Sequence, residues 1–387
     1  MLVADMMFSL IRSEICGTPA AGLDKDQLTE DVCKELYILS KKHDLAHIVA
    51  SALQKLGAMK QDKVSESFQK QLMLSLYRDG QRQYALQLAA KTLEDANLSH
   101  ILLKGSVVQH YYPQTWMRTS CDIDILIRRE DEAPLENALC DAGFVRLPDG
   151  SLHDIHFMAP NKVLVEMHHT LTQGERFSSS NKVLETVWES GCEPEEGCRY
   201  HMKPEWFILY HLVHMGRHLL SGGCGVRPFI DLWLINQKLD FDTETLTALL
   251  QKTGLTALYE VSSALGEVWM QQRSHMEETA RLESYILTGG VYGSVTNMAS
   301  VKAARDVSKR RFFAEVMFLP RKNLEVLYPE LKEHPARLPY YQVRRWFRIF
   351  DKTKRKKLQS MMNARDAVSS DTADNVKTLL ASLGLGK

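Results

Sequence analysis

The sequence predicts a mostly helical α+β protein, in which a small mixed β-sheet core is flanked by N- and C-terminal helical regions. Three observations carry that expectation. Long stretches space their apolar residues at three and four. Only the region from 99 to 175 has the alternating, turn-punctuated texture of strands. A chain of 387 residues is also too long for one small core. The expected division is an N-terminal helical region over 1–98, an α/β core over 99–175, a helical domain over 176–300 and a basic C-terminal helical region over 301–387.

Residues 1–98 have the helical spacing in Asp31 to Lys42 and again in Phe68 to Leu93, with few β-branched runs and Pro19 as the lone proline. The pattern changes at residue 99. His100-Ile-Leu-Leu is a short apolar run that ends in Lys104-Gly105-Ser106, and Val107 to Tyr112 suits a short helix stopped by Pro113. Cys121 to Ile127 alternates as a strand. Glu130 to Ala142 is expected to be helical, with Pro134 near its start and Gly143 as C-cap. Phe144 to Leu147, His153 to Met158 and Val163 to His169 complete a small set of strands, the last two joined by the turn Pro160-Asn161-Lys162. From Val183 helices dominate again. Trp206 to Leu220 and Pro228 to Leu239 are joined by the glycine-rich hinge Ser221-Gly-Gly-Cys-Gly225, and Leu246 to Leu282 continues the pattern. Four prolines (320, 329, 335 and 339) precede a basic helix expected over Tyr340 to Met362, and the tail after Ser369 is expected to fray.

Bulk properties narrow the function classes. Hydrophobic and charged shares of 44% and 25% are those of an ordinary globular protein. No apolar run approaches the roughly 20 residues that cross a bilayer. The N-terminus lacks a basic segment, and Asp5 and Glu14 interrupt its apolar stretch, which argues against a signal peptide. Seven scattered cysteines without a CxxC pair suggest reduced thiols in the cytoplasm, not a disulfide frame or a zinc site. The net charge is zero but uneven: residues 301–387 carry 20 Lys+Arg against 9 Asp+Glu, and the first 300 carry 28 against 39. Such asymmetry suits either a polyanion-binding face or a basic region docked on an acidic body.

The chemistry centres on Cys121-Asp-Ile-Asp-Ile-Leu-Ile127. Residues two apart on a strand share a face, so Asp122 and Asp124 project together while Ile123 and Ile125 point into a core. Two carboxylates held close repel unless a cation lies between them, and oxygen ligands favour Mg²⁺ or Mn²⁺. Glu166, in Val165-Glu-Met-His168, completes a three-acid cluster if its strand lies beside the first. Two acidic residues on a strand often mark nothing more than a solvated face. The apolar content of this strand argues that both faces are covered. Upstream, Gly105 lets the backbone approach a phosphate, the following helix directs amides at it, and Ser106 can add its hydroxyl. Lys104 and Arg118 border the same region and can neutralise phosphate charge.

An apolar strand, Gly-Ser, a short helix, an acidic-x-acidic strand and a third acid form the pattern of nucleotidyltransferases of the DNA polymerase β type. The run Leu103-Lys104-Gly105, Tyr112-Pro113, Arg118, Asp122-Ile-Asp-Ile-Leu-Ile127 and Val165-Glu-Met-His168 resembles the bacterial uncharacterised nucleotidyltransferase family of that superfamily. His211-Leu-Val-His214, Arg227-Pro-Phe-Ile-Asp231 and Tyr328-Pro-Glu-Leu331 with Arg345 fit the same family. The resemblance implies transfer of a nucleoside monophosphate from a nucleoside triphosphate, with ATP as one such substrate, to an acceptor hydroxyl. In the implied roles, Asp122, Asp124 and Glu166 hold Mg²⁺. Lys104, Gly105, Ser106, Arg118, Arg227 and Asp231 serve the nucleotide. The helical arms close over base and acceptor.

Blander roles stand beside these. Arg227 and Asp231, four apart, could form a helical ion pair. His211 and His214 suit core packing better than a metal site, His168 suits a satisfied strand histidine, and Lys352 to Lys357 suits a solvated face. A near-neutral body favours a small molecule or a protein as acceptor, and the basic C-terminal region leaves nucleic acid open. Two other functions compete: a glycosyltransferase using the DxD with a nucleotide sugar, and a catalytically inactive nucleotide-binding module.

Overall fold

The computed structural model describes residues 2–386 except 21, 149–153, 173–174, 292, 306–310, 312–313, 315–316, 332, 348–358, 360–361 and 365. His153, the run Lys352 to Lys357 and most of the latter half of the helix expected over Tyr340–Met362 therefore lie outside the described residues.

Four helices come first: α1 (Val3–Cys16), α2 (Glu30–Lys42), α3 (Ala46–Lys55) and the long α4 (Lys63–Asp95). The start of α4 is fixed by Asp62, whose carboxylate accepts the Ser65 amide at 2.7 Å and so satisfies one of the helix's orphan donors. Strands β1 (His100–Leu102) and β2 (Asp122–Ile127) follow, separated by the one-turn helix α5 (Gly105–Val108). Then come α6 (Glu132–Asp141), β3 (Val145–Arg146), β4 (Asp154–Met158) and β5 (Leu164–His168). The expected hairpin between β4 and β5 forms, with Lys162 at a φ of +70° in its turn.

After α7 (Ser178–Leu184), the chain adds β6 (Cys192–Glu196) and β7 (Arg199–Met202), two strands that a helical expectation after Val183 overlooked. Their sequence, Cys192-Glu-Pro-Glu-Glu and Arg199-Tyr-His-Met, is too polar to announce a strand. What makes it one is the free edge of β1, to which β7 adds in parallel. Helices α8 (Pro204–Leu220), α9 (Arg227–Lys238), α10 (Thr243–Thr253), α11 (Thr256–Gln271), α12 (Glu277–Thr288) and α13 (Val295–Ala304) follow, and α8 and α9 both open with a proline in their first two positions. Beyond them lie α14 (Arg321–Leu327), α15 (Leu338–Phe347) and α16 (Ser370–Ser382). The expected fraying is overruled at α16. Its Val376, Leu379 and Leu380 are buried, and it packs on α12 and α13.

The seven strands form one mixed sheet in the order β3-β4-β5-β2-β1-β7-β6. β2 is central, antiparallel to β1 and parallel to β5. Its alternation sorts its two faces. Ile123, Ile125 and Ile127, with Val165, Met167, Ile155 and Phe157 from neighbouring strands, pack against Ala85, Leu86, Ala89 and Leu93 of α4 and Leu135 and Leu139 of α6. The other face, with Asp122 and Asp124, turns toward α8 and α9. These helices belong to a larger core that joins α1–α3 to α8–α13 and reaches α16. No helix among the described residues is long and apolar enough to cross a membrane. All seven cysteines are free thiols.

The apolar face of β2 fixes the direction of its acidic face, so it offers a direct stability test. Ile125 is fully buried. Ile125→Ala should cost about 2–5 kcal/mol in urea denaturation, through lost burial and the cavity left behind. A loss under about 1 kcal/mol would contradict this packing.

Candidate functional site

Asp124 and Glu166 stand directly opposite each other in β2 and β5, and Asp122 shares their face one pleat earlier, opposite Leu164. The third acid thus lies where the sequence expected it, through a parallel pairing that brings together residues 42 apart. Asp124 is 4% exposed and has two partners. Lys104 Nζ donates to its Oδ1 at 2.6 Å, and His168 Nε2 donates to the same oxygen at 2.7 Å. Burial by itself would raise the Asp124 carboxyl. The His168 hydrogen bond and the Lys104 charge override it and hold the group well below the usual carboxylate range.

Lys104 is placed by the backbone. The Leu103 amide donates to the Asp124 carbonyl at 3.0 Å, extending the β1–β2 ladder by one residue. The chain then turns sharply at Lys104, whose φ is +41°, a conformation that costs a non-glycine residue energy. The turn directs the ammonium onto Asp124. Tyr210 of α8 lies against the same ammonium, and burial pushes its hydroxyl up to about 12, so it is neutral there.

Glu166 differs from Asp124. It is part-exposed, and its Oε2 stands 3.6 Å from His168 Nε2. Burial raises its carboxyl, and the charges of Asp124 and Asp122 raise it further. Asp122 accepts a hydrogen bond from Ser120 Oγ at 2.7 Å at the mouth of the site. Asp124, Glu166 and His168 each offer a ligand atom within 4.8 Å of the other two. This is a donor set suited to a divalent cation, and crowded acids destabilised by one another are what such a cation relieves.

Around the acids opens a cleft of about 780 Å³. Its walls carry Lys42, Arg78, Lys104, Arg118, Arg217 and Arg227, with His214 and His218, against the acids Asp44, Asp122, Asp124 and Glu166. Gly105 lines it too, and glycine is required there for a reason other than phosphate approach. A Cβ at 105 would collide with the Arg118 guanidinium, which lies across it. Arg118 is held in turn by Asp231, with Nη2 donating to Oδ2 at 2.9 Å, while Tyr112 donates to Oδ1 at 2.8 Å. Asp231 is 1% exposed and absent from the cleft wall, so its place is behind Arg118. Arg227 does not pair with Asp231 as a helical ion pair would. It donates to the Thr119 carbonyl, to Thr119 Oγ1 at 2.8 Å and to Asp44 Oδ2 at 3.3 Å, so it clamps the loop before β2.

Ser106 stands elsewhere. Its hydroxyl is buried without a hydrogen-bond partner, and the residue lines a separate pocket with Tyr111 and Phe207. The amides of Ser106 and Val107 donate back to the Leu103 and Lys104 carbonyls at 3.0 and 3.1 Å. His211 Nε2 bonds the Pro228 carbonyl at 2.8 Å, a packing role. His214 lies on the cleft with its Nε2 3.1 Å from that of His218, and burial lowers both rings, His218 to about 4.

Sequence reasoning missed several cleft residues. Arg217 and His218 continue the three-and-four spacing of His211 and His214, a signal that was available. Lys42 and Arg78 carried none, since each is one cation on a helix rich in them. Gly289, Gly290, Val291 and Gly293 also line the cleft. Their run of small residues could have been noticed, but not its position. That position rests on the Val291 amide donating to the Lys42 carbonyl and the Ser294 amide to that of Gly222, at 3.2 and 3.1 Å. Gly222, in the expected hinge, has a φ of +125°, where a side chain would be strained.

Removing one member of the Arg118–Asp231 pair leaves a buried charge alone. Asp231→Ala should therefore lower stability by about 3–5 kcal/mol in urea denaturation. Joint replacement, Arg118→Met with Asp231→Leu, should recover much of that loss. Equal losses in the single and double variants would show that the pair is not the cause.

Comparison with known proteins adds one positive finding. Residues 30–271 match a family described as uncharacterised nucleotidyltransferase, and the match ends before the Gly289–Gly293 wall. No curated protein and no solved structure matches the chain. The match spans more than half of the chain and includes all three acids, Lys104 and the Arg118–Asp231 pair. The chain belongs to the uncharacterised nucleotidyltransferase family.

Proposed function

We propose that the cleft catalyses metal-dependent transfer of a nucleoside monophosphate from a nucleoside triphosphate to an acceptor hydroxyl, with release of pyrophosphate. The acceptor is a small molecule or a protein side chain, which suits a cleft of about 780 Å³ whose lining mixes acids with cations. The single observation that carries the reading is the register of β2 against β5, which sets Asp124 opposite Glu166 with Asp122 on the same face, beneath a wall of cations.

Asp124, Glu166 and His168 offer the close ligand atoms for a divalent cation, and Asp122, on the same face and raising Glu166 by its charge, adds an oxygen donor suited to Mg²⁺ or Mn²⁺. Bound there, the cation supplies Lewis-acid stabilisation of phosphate charge. The chain's own groups do the rest. Glu166, whose carboxyl is raised by its neighbours, takes the proton of the acceptor hydroxyl as that oxygen bonds to the α-phosphorus. The bond from the α-phosphorus to the bridging oxygen breaks, and pyrophosphate departs with that electron pair. Arg118, Arg217, Arg227, Lys42 and Arg78 offset its charge. Lys104 and His168 keep Asp124 ionised and fixed. Gly105 contributes by admitting Arg118, and Asp231 by holding it. Ser106 has no part in this scheme. The segments 1–98 and 176–300 act as arms about the 99–175 core, the latter also adding β6 and β7 to its sheet, and α16 of the basic region 301–387 packs on α12 and α13. The free thiols accord with a cytoplasmic setting.

Two outcomes are expected. Asp122→Asn with Asp124→Asn should abolish pyrophosphate release and Mg²⁺-dependent triphosphate binding while the far-UV circular dichroism is unchanged. Retained triphosphate consumption would refute the assignment. The second outcome concerns pH. The folded-state carboxyl of Glu166 is raised, so its contribution to stability is complete at low pH and is lost as pH rises through its titration. Mg²⁺ should relieve that repulsion. The Mg²⁺-induced rise in Tm should be largest at neutral pH, shrink as pH falls through the Glu166 titration, and be reduced in Glu166→Gln. A Mg²⁺ effect independent of both pH and Glu166 would contradict the site.

A further inference from the structure

β4 lies on the outer side of β5, and its register extends the acidic face by one strand. His156 is opposite Glu166, and Asp154 is opposite His168. Opposed residues share a face, so Asp124, Glu166 and His156 form one row across three strands, and His168 and Asp154 stand in the next. Glu166 occupies the middle of that row, with its two oxygens turned to opposite sides. Oε2 is 3.6 Å from His168 Nε2, and Oε1 is 3.8 Å from His156 Nε2. His156 Nε2 is in turn 3.4 Å from Asp154 Oδ1. A His–Asp pair thus flanks Glu166 on each side.

The two pairs are not equivalent. His168 is in direct hydrogen-bond contact with Asp124 at 2.7 Å, which makes it a positioning residue for that acid. The separations on the outer side are longer. Ligands bound at ~2.0–2.2 Å to one cation stand ~3–3.5 Å apart, the spacing between His156 and Asp154 and slightly less than that between His156 and Glu166. Ligand atoms of Asp154, His156 and Glu166 all lie within 4.8 Å of one another, and all three side chains are part-exposed, so a cation has a path from solvent.

We propose that Asp154, His156 and Glu166 form a second cation site, outside the three-acid cluster and sharing Glu166 with it. One imidazole with two carboxylates selects a borderline transition metal, Zn²⁺ or Co²⁺, over Mg²⁺. A cation here draws Glu166 Oε1 away from the cleft. Its occupancy therefore opposes the proton-accepting role of Glu166, a consequence that rests on the proposed function, whereas the binding itself does not.

The test uses the full chain stripped of metal, with excess Mg²⁺ present to fill the acid cluster. Co²⁺ is followed by its visible absorption, and Zn²⁺ by competition with a chromophoric chelator. One Co²⁺ per chain is expected, and Asp122→Asn with Asp124→Asn should retain it. His156→Ala and Asp154→Asn should each weaken binding by at least about tenfold, the scale on which metal sites lose affinity when their supporting groups are removed. His156→Cys should restore binding and add a thiolate-to-Co²⁺ charge-transfer band, which also guards against a misfolded alanine variant. Absence of Co²⁺ binding in the wild type would overturn the proposal. So would unchanged binding in His156→Ala with a native circular dichroism spectrum, or loss of binding in the Asp122/Asp124 variant alone. Since the readout is spectroscopic, a chain that binds Co²⁺ but transfers no nucleotide would refute the proposed function and leave this site standing.

Discussion

Two carboxylates on adjacent parallel strands, Asp124 on β2 and Glu166 on β5, are held opposite each other by backbone hydrogen bonds that do not depend on their charge. The apolar face of the same strands, packed on α4 and α6, prevents either strand from slipping by one residue, because a slip would turn Ile123 and Ile125 out and bury the acids. Repulsion between the acids is thereby built into the fold, and the surrounding groups answer it. Asp124 receives a lysine and a histidine. Glu166 receives no direct charge partner as close and is pushed toward its neutral form. That inequality separates a fixed acid from one able to exchange a proton.

The cationic wall depends on the same arrangement at one remove. Arg118 can cross the start of α5 only because residue 105 has no side chain, and it stays there because Asp231 and Tyr112 close a buried network behind it. Asp231 lies on α9 and Gly105 follows β1, so this network also ties the helical arm to the sheet. Arg227 makes a second tie through Thr119 and Asp44. Both ties converge on the loop before β2, the segment that delivers Asp122 and Asp124.

Much of this was legible in the sequence. The alternation of Cys121 to Ile127 gave both the strand and its acidic face, and the turn at Pro160 to Lys162 set β5 beside β4. Lys104, Arg118 and Arg227 do lie on the cleft. Other features depend on the assembled fold. Strands β6 and β7 are polar and form because β1 has an edge to fill. Only the family resemblance points Asp231 at the nucleotide, and spacing along a helix cannot tell which side of Arg118 it occupies. Ser106 follows the expected glycine, but it lines a separate pocket and its hydroxyl is buried. The Gly289–Gly293 wall comes from a distant part of the chain, and its contact with Lys42 and Gly222 has no local signature.

The proposed reaction is defined by the bond that breaks. Incubating the chain with Mg²⁺, a panel of acceptors and nucleoside triphosphates labelled at either the α- or the γ-phosphorus tests it most directly. The expected result is α-label on the acceptor, γ-label in pyrophosphate, and neither without a divalent cation. Transfer of γ-label to the acceptor, or label movement that survives removal of the metal, would contradict it.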